Sequence, residues 1–324
     1  MQEEINRDCK IVYMGTPDFA VAPLKALLDK GYTISAVVTI PDKKSGRGQK
    51  LSQSPVKLFA IANNIKVLQP ISLKDPQFTQ ELKQIEPHLM IVVAFRMLPK
   101  EVWSLPRLGT FNLHASLLPN YRGAAPINWA IINGEKRSGV STFFIDQNID
   151  TGQILFSEEC EITPDMCAGD LHDILMNIGS DLVVKTTQAI IENSINPIPQ
   201  SSINLEEELK IAPKIDKELC KIDWNNSSTS LHNLIRGLSP YPCAFSTIIL
   251  DDKESLIKIY KSSLNNLDLN LSPGEVHTDK KNFFIVGCKD GAINIDSLQL
   301  AGKKRVSIKE FLAGINNISS IHLK

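Results

Sequence analysis

Asn112 and His114 stand two residues apart at the end of a short run, Thr110 to His114, and in an extended chain that spacing puts both side chains on one side. Asn supplies a neutral donor and acceptor, and His can act as acid, base or donor near neutral pH. Such a pair suits stabilisation of an oxyanion forming on a carbonyl; a purely structural hydrogen-bonding role at a strand end is the other reading. Downstream, Asp146-Gln147-Asn148-Ile149-Asp150-Thr151-Gly152 is a polar turn after a strand. Its carboxylate Asp150 could orient His114 or pass a proton through water, or the segment could be only a turn. The Asp-Thr-Gly triplet occurs once, which excludes an aspartic protease, a class that needs two carboxylates. A third candidate is Pro41 to Lys57, where Lys43, Lys44, Arg47, Lys50 and Lys57 face a single Asp42, with glycines flanking Arg47. It reads either as a solvated surface loop or as a cationic lid for a polyanion.

The elements that must position these residues alternate along the first half. Lys10 to Met14, Ile34 to Ile40, Ile65 to Leu68, Leu89 to Ala94 and Thr110 to His114 read as strands, and Val140 to Ile145 and Ile154 to Phe156 add two more. Ala20 to Leu28, Val56 to Asn63 and Asp170 to Glu192 read as helices between or after them. Apolar strands separated by helices imply an α/β, Rossmann-like, mostly parallel sheet covered on both faces. Ligands of such sheets sit at the C-terminal strand ends, so polar residues there are suspects. Gly15-Thr16-Pro17 occupies that place after the first strand. It lacks the further glycines of a dinucleotide turn, and Gly15 as a simple packing glycine is the alternative.

The texture changes at Asn193 to Ser202, a proline-containing polar stretch that reads as an exposed linker. Beyond it come a short helix within Ile222 to Leu238 and short, evenly spaced strands: Phe245 to Leu250, Leu256 to Lys261, Gly274 to His277, Phe283 to Cys288 and Ile293 to Leu300. These suggest a small β-rich barrel. The expected organisation is a catalytic α/β domain over 1–192, a linker over 193–209 and a β-rich domain over 210–324.

Composition narrows the classes. The 324 residues carry 35 Lys and Arg against 36 Asp and Glu, a formal charge of −1, which excludes binding of nucleic acid or membrane by bulk charge. No apolar stretch approaches the roughly 18 to 20 residues of a membrane span. The segment Met1 to Cys9 holds Glu3, Glu4 and Asp8, unlike a secretory signal. Six cysteines without a Cys-x-x-Cys pair read as free thiols of a reducing cytoplasm, not as a disulfide or metal framework.

Taken together the motifs resemble the methionyl-tRNA formyltransferase family nearly end to end. The likeness runs through Met14-Gly15-Thr16-Pro17-Asp18-Phe19-Ala20, Gly46-Arg47-Gly48-Gln49-Lys50-Leu51, Ser54-Pro55-Val56-Lys57, Asn112 to Pro119, Arg122-Gly123-Ala124-Ala125-Pro126-Ile127 and Asp150-Thr151-Gly152. It continues in Ile222-Asp223-Trp224, Ile235-Arg236 and Leu300-Ala301-Gly302-Lys303-Lys304. The Asn-x-His with downstream Asp marks the wider folate-dependent formyltransferase superfamily; the basic loop and C-terminal motifs narrow it to the tRNA branch.

The resemblance implies a cytoplasmic, monomeric transferase of protein biosynthesis. It would carry the formyl group of 10-formyltetrahydrofolate to methionine on initiator tRNA for translation initiation, without a metal. It assigns catalysis to Asn112, His114 and Asp150, and the folate site to Ser116, Leu117, Leu118 and Pro119. It assigns tRNA contact to Lys43, Lys44, Arg47 and Lys50, and to Lys303, Lys304 and Arg305 of an OB-like C-terminal domain, with Lys280 and Lys281 as further surface cations. Beyond residue 201 the two signs of charge nearly balance, so only a local face there is cationic. One segment departs from the family pattern: Ala94-Phe95-Arg96-Met97-Leu98-Pro99 lacks an aromatic-glycine pair and is one residue short, which leaves the role of Arg96 open. A sugar-nucleotide N-formyltransferase and a non-catalytic tRNA-binding module are the alternatives. The first lacks the Gly-Arg-Gly loop, and the second has no use for the Asn-His-Asp trio.

Overall fold

A run of β-branched and apolar residues with no polar alternation is stable only as a strand covered on both faces. Ile11–Gly15 (β1) is such a run, and all five of its residues are buried. In the computed structural model, which describes residues 9–45, 50–204, 208–265, 267, 269–315 and 320–324, β1 is flanked by two parallel neighbours, Ile34–Val38 (β2) and Leu89–Val93 (β6). Between them in the chain lie the hairpin Lys43–Ser45 (β3) and Lys50–Ser52 (β4), and the short strand Val67–Leu68 (β5). Thr110–His114 (β7), Arg122–Gly123 (β8), Arg137–Phe144 (β9) and Ile154–Glu161 (β10) follow. The main sheet has the order β10-β9-β7-β6-β1-β2-β5, and β9 is antiparallel to β7. Strand order reverses between β1 and β6, which makes their C-terminal ends the topological switch point where open α/β sheets bind ligands.

Helices begin where caps permit. Val21–Asp29 (α1) follows a short 3₁₀ turn. Pro55–Ala62 (α2) starts with Pro at its first position, and the Ser54 hydroxyl accepts the Lys57 amide. Pro76–Ile85 (α3) repeats the device with Asp75. Lys100–Trp103 (α4), Pro126–Ile132 (α5) and the long Ala168–Ile191 (α6) complete the first two-thirds of the chain. Phe78 and Leu82 of α3 and Val102 of α4 pack on Val12, Met14, Ala36, Val38, Met90 and Val92, the alternate residues of β1, β2 and β6.

Contacts divide the chain into two units. One holds residues up to Gly123, Gly139–Cys160 and His172–Ile211; the other holds Ala124–Ser138, Glu161–Leu171 and Ala212–Lys324. In the second unit, Ala244–Leu250 (β12), Lys253–Leu264 (β13), Val276–Thr278 (β14), Phe284–Cys288 (β15), Gly291–Leu300 (β16), Val306–Ser307 (β17) and Ile321–Leu323 (β18) form an antiparallel sheet. They follow the short Ile211–Ala212 (β11), which pairs with β8. The sheet order is β14-β15-β16-β13-β12-β18, and a bridge between Glu275 and His322 nearly closes it into the barrel expected from strand spacing. Its interior holds Ile248, Ile257, Ile259, Phe284, Val286, Ile293, Ile295 and Leu298. Leu231, Ile235 and Leu238 of Ser228–Leu238 (α7) and Phe311 and Leu312 of Ile308–Ala313 (α8) cover it. Among the described residues no helix is long and apolar enough to cross a membrane.

Candidate active site

β7 carries Asn112 and His114 to the C-terminal edge beside the switch point, with Asn112 opposite Phe143 and His114 opposite Ser141 on β9. Asn112 is half-buried and His114 buried. His114 Nε2 lies 2.8 Å from the carbonyl oxygen of Tyr121. A carbonyl only accepts, so Nε2 carries the proton and Nδ1 is the nitrogen left to face the site. Asp150 Oδ2 is 3.8 Å from that Nδ1, beyond direct hydrogen bonding but close enough for charge interaction or one bridging group. The same oxygen accepts the Gly123 amide at 2.9 Å. Asp150 and Tyr121 both adopt left-handed backbone, φ 54° and 61°, the sharp bends that bring the two loops to the imidazole.

The turn after β7 is nailed down from β9. Ser141 Oγ donates to Ser116 O at 2.8 Å and accepts the Leu118 amide at 3.1 Å, and it lies 2.9 Å from Ser157 Oγ. Ser116 is fully buried and its hydroxyl donates to Asn120 O. Leu118 and Pro119 are buried as well, so Leu117 is the half-exposed member of the four residues expected to line a folate site.

Gly15, the turn glycine after β1, has a packing reason: a Cβ there would stand 2.6 Å from the Ala20 Cβ. Next to it, Thr16 Oγ1 is buried without a hydrogen-bond partner among the described residues, an orphaned polar atom at the switch point. Arg96, at the C-terminal end of β6, donates from Nη2 to Pro70 O and from Nη1 to Ile71 O, at 2.9 and 3.0 Å, and stacks on Phe95. The segment Ala94 to Pro99 is thus fastened by a guanidinium clamp on the loop that follows β5.

The basic segment forms the β3–β4 hairpin, which sequence alone reads as a loop. Lys43 is exposed; Arg47 lies outside the described residues, as do the side chains of Lys44 and Lys50. Lys57 sits on α2 and pairs with Asp42 at 2.6 Å, so it is not a free cation. That hydrogen bond, with one from Gln69, holds the Asp42 carboxyl below the usual carboxylate range. In the second unit, Lys303, Lys304 and Arg305 are all exposed in the turn from β16 to β17. Arg305 is held there, its guanidinium 4.5 Å from the centre of the Tyr260 ring and its Nε donating to Ser297 Oγ. All six cysteines are free thiols, and burial pushes Cys9 and Cys243 up to about 11 and Cys288 to about 12.

Sequence reading missed one participant. Gln200 falls in the stretch read as exposed linker, yet it is buried, and its amide bonds both to Arg122 and to the backbone of the Asp150 turn. No local pattern marks it; Ile198 bridging Ile154 brings it there.

Known proteins agree with this layout. A formyl transferase family model matches residues 9–187, and a formyl transferase C-terminal domain model matches 214–316. The methionyl-tRNA formyltransferase of Bacteroides fragilis is 48% identical over 318 residues, 98% of each chain. That of Flavobacterium johnsoniae is 50% identical over 306 residues, 94% of this chain and 96% of the relative. Among solved structures, the sugar 3N-formyl transferase WlaRD, with dTDP and 5-N-formyl-THF, aligns at TM-score 0.65 and 27% identity over 92% of this chain and all of its own. An N-formyltransferase from Helicobacter canadensis, with folinic acid and dTDP-3-aminofucose, aligns at 0.64 and 26% over 89% of this chain and 98% of its own. On its sequence likeness over nearly its full length and on both matched regions, the chain belongs to the methionyl-tRNA formyltransferase family.

Proposed function

We propose that the protein transfers the formyl group of 10-formyltetrahydrofolate to the α-amine of methionine on initiator tRNA, giving N-formylmethionyl-tRNA for translation initiation. Formylation of methionyl-tRNA follows from the family; the finer assignments are supported by the site. One observation carries them: Asp150, from a turn further along the chain, meets the strand pair Asn112 and His114 at the C-terminal end of β7 beside the switch point. The amine nitrogen attacks the formyl carbon, a tetrahedral oxyanion forms, and the bond to the folate N10 breaks as that nitrogen takes up the proton that the amine released to Asp150. Asn112 donates its amide to the oxyanion, and His114, which for this must carry a proton on each ring nitrogen, donates through Nδ1 while Nε2 stays engaged by Tyr121 O. Asp150 holds the imidazole and accepts the amine proton, directly or through water.

Leu117 and the neighbouring Ser116, Leu118 and Pro119 form the wall against the folate. Lys43, Lys44, Arg47 and Lys50 of the basic segment contact the acceptor stem, and Lys303, Lys304 and Arg305 of the region 210–324 follow the tRNA backbone. The reaction as written needs no metal. A monomer in the cytoplasm, where charged tRNA is used, completes the reading.

The test is a single-turnover formylation assay with 10-formyltetrahydrofolate and charged initiator tRNA. Asn112→Ala and His114→Ala should each lose about two to three orders of magnitude in rate, the loss typical of one oxyanion donor. Near-wild-type turnover in either folded variant would sink the assignment. The likeness to the two sugar N-formyltransferases motivates a parallel arm with a dTDP-amino sugar; faster formylation of that acceptor than of the tRNA would favour the sugar reading.

A further inference from the structure

We propose that Gln200 is a positioning residue for catalysis: its side-chain amide sets the Asp150 carboxylate relative to His114. The proposal rests on the formyl-transfer reading of Asn112, His114 and Asp150. Gln200 is buried at the start of the 3₁₀ turn Gln200–Ser202. Its Oε1 accepts from Arg122 Nε at 3.0 Å and from Arg122 Nη2 at 2.6 Å. Its Nε2 donates to Asp150 O at 2.9 Å and to Gly152 O at 2.8 Å. A guanidinium only donates and a carbonyl only accepts, so the amide orientation is fixed and all four of its hydrogen-bonding positions are filled.

The two ends of this amide grip the two loops that meet at the imidazole. Arg122 lies between Tyr121, whose carbonyl holds His114 Nε2, and Gly123, whose amide holds Asp150 Oδ2. On the other side, Asp150, with its left-handed backbone, and Gly152 both belong to the acidic turn. Gly123, Arg122, Gln200 and Asp150 therefore form a closed ring of hydrogen bonds and peptide links, and His114 Nε2 is tied to it through the Tyr121 carbonyl. So held, His114 Nδ1 and Asp150 Oδ2 are set 3.8 Å apart. Charge cannot explain the choice of residue. A glutamate would pair with Arg122 equally well, but its second oxygen would face two carbonyl oxygens. Only an amide accepts on one side and donates twice on the other.

The decisive variant is Gln200→Glu, nearly isosteric, which keeps the Arg122 contact and turns the two donations into repulsions. Displacement of a catalytic group by about an ångström costs about 100-fold, so kcat should fall by about 10- to 100-fold. The KM for 10-formyltetrahydrofolate should stay within about twofold, because the hydrogen bonds of Gln200 go to Arg122 and the acidic turn and to none of Ser116, Leu117, Leu118 or Pro119. In an Asp150→Asn background the same change should add less than about twofold, since its effect passes through the carboxylate. Thermal melting of each variant reports folding, and Gln200→Met serves if the glutamate does not fold. A folded variant with wild-type kcat overturns the proposal. So does an undiminished loss in the Asp150→Asn background, or failure of both substitutions to fold, which would make Gln200 a structural residue. A wild-type enzyme that fails to formylate methionyl-tRNA would instead overturn the functional reading, and the wild-type control separates the two.

Discussion

At the residue scale the acidic turn owes its course to Gly152. A Cβ at that position would stand 1.6 Å from the Phe144 carbonyl oxygen, backbone against side chain with nothing flexible to yield. The close approach is built into the edge of β9, where the Phe144 amide donates to Gln153 O. Gly152→Ala must push the turn away from β9, and with it Asp150 two residues earlier. We expect a loss of about 2 to 4 kcal/mol in urea unfolding and, in the folded fraction, a kcat reduced at least tenfold. Unchanged stability and kcat would show that the turn relocates freely. Asn112 and His114 were legible because strand periodicity and strand-end logic act over a few residues. Asp150 was legible because a carboxylate in a turn after a strand is conspicuous. Gln200 was not: its partners are contributed by turns far away in the chain, and a single amide in a polar stretch carries no periodic or compositional mark.

At the element scale, two segments carry exposed cations: β3 holds Lys43, and the stretch from β16 to β17 holds Lys303, Lys304 and Arg305. The β3–β4 hairpin springs from a base tied by Asp42, which accepts from Lys57 on α2 and from Gln69 after β5. Gln69 also donates to Ile40 O, so the end of β2 and the hairpin share one anchor. Sequence reading took this segment for a loop because its Lys, Ser and Gly residues have low strand propensity; the antiparallel pairing Lys43 with Ser52 and Lys44 with Leu51 supplies what propensity does not. The turn between β16 and β17 is likewise stiffened: Gln299 donates to Lys303 O and accepts from Tyr260. A Lys that neutralises a tRNA phosphate contributes to the salt dependence of binding, and one already paired does not. Removing Lys303 or Lys304 by alanine substitution should therefore lower the slope of log affinity against log salt by about 0.7 to 0.9 each. Lys57→Ala should leave that slope nearly unchanged. Filter binding of charged initiator tRNA across a salt series measures both; equal slopes for all three variants would remove the β16–β17 turn from the interface.

At the scale of the whole molecule, the chain enters the barrel's unit for good at Ala212, and that unit also takes two earlier excursions, Ala124–Ser138 and Glu161–Leu171. These were not legible because each is short, ordinary in composition and flanked by elements of the main sheet. Two polar residues on the barrel-covering helix α7 tie the second excursion in. Arg236 donates from Nη1 to Met166 O at 3.0 Å and from Nε to Asn233 Oδ1 at 2.9 Å. One turn earlier, buried His232 has Nε2 against Pro164 O at 3.4 Å and Nδ1 against Ser262 Oγ of β13 at 3.1 Å. Burial holds the His232 pKa below the ordinary histidine value, helped by the Arg236 charge; the Pro164 bond, Asp165 and Asp296 act the other way without overcoming it. The unfolded chain therefore binds a proton before the folded one does, and stability must fall as pH drops below about 6.5 toward the lower folded-state value. Asp296 has the opposite sense, since burial raises its pKa and its contribution to stability is lost as pH rises through that value. His232→Gln removes the histidine's contribution and leaves that of Asp296. Urea unfolding of the full chain between pH 7.5 and 5.5, followed through Trp224 in the barrel core, should show a decline for wild type that is flatter in His232→Gln. Parallel declines would mean that His232 protonates in place, with the Glu161–Leu171 segment undisturbed.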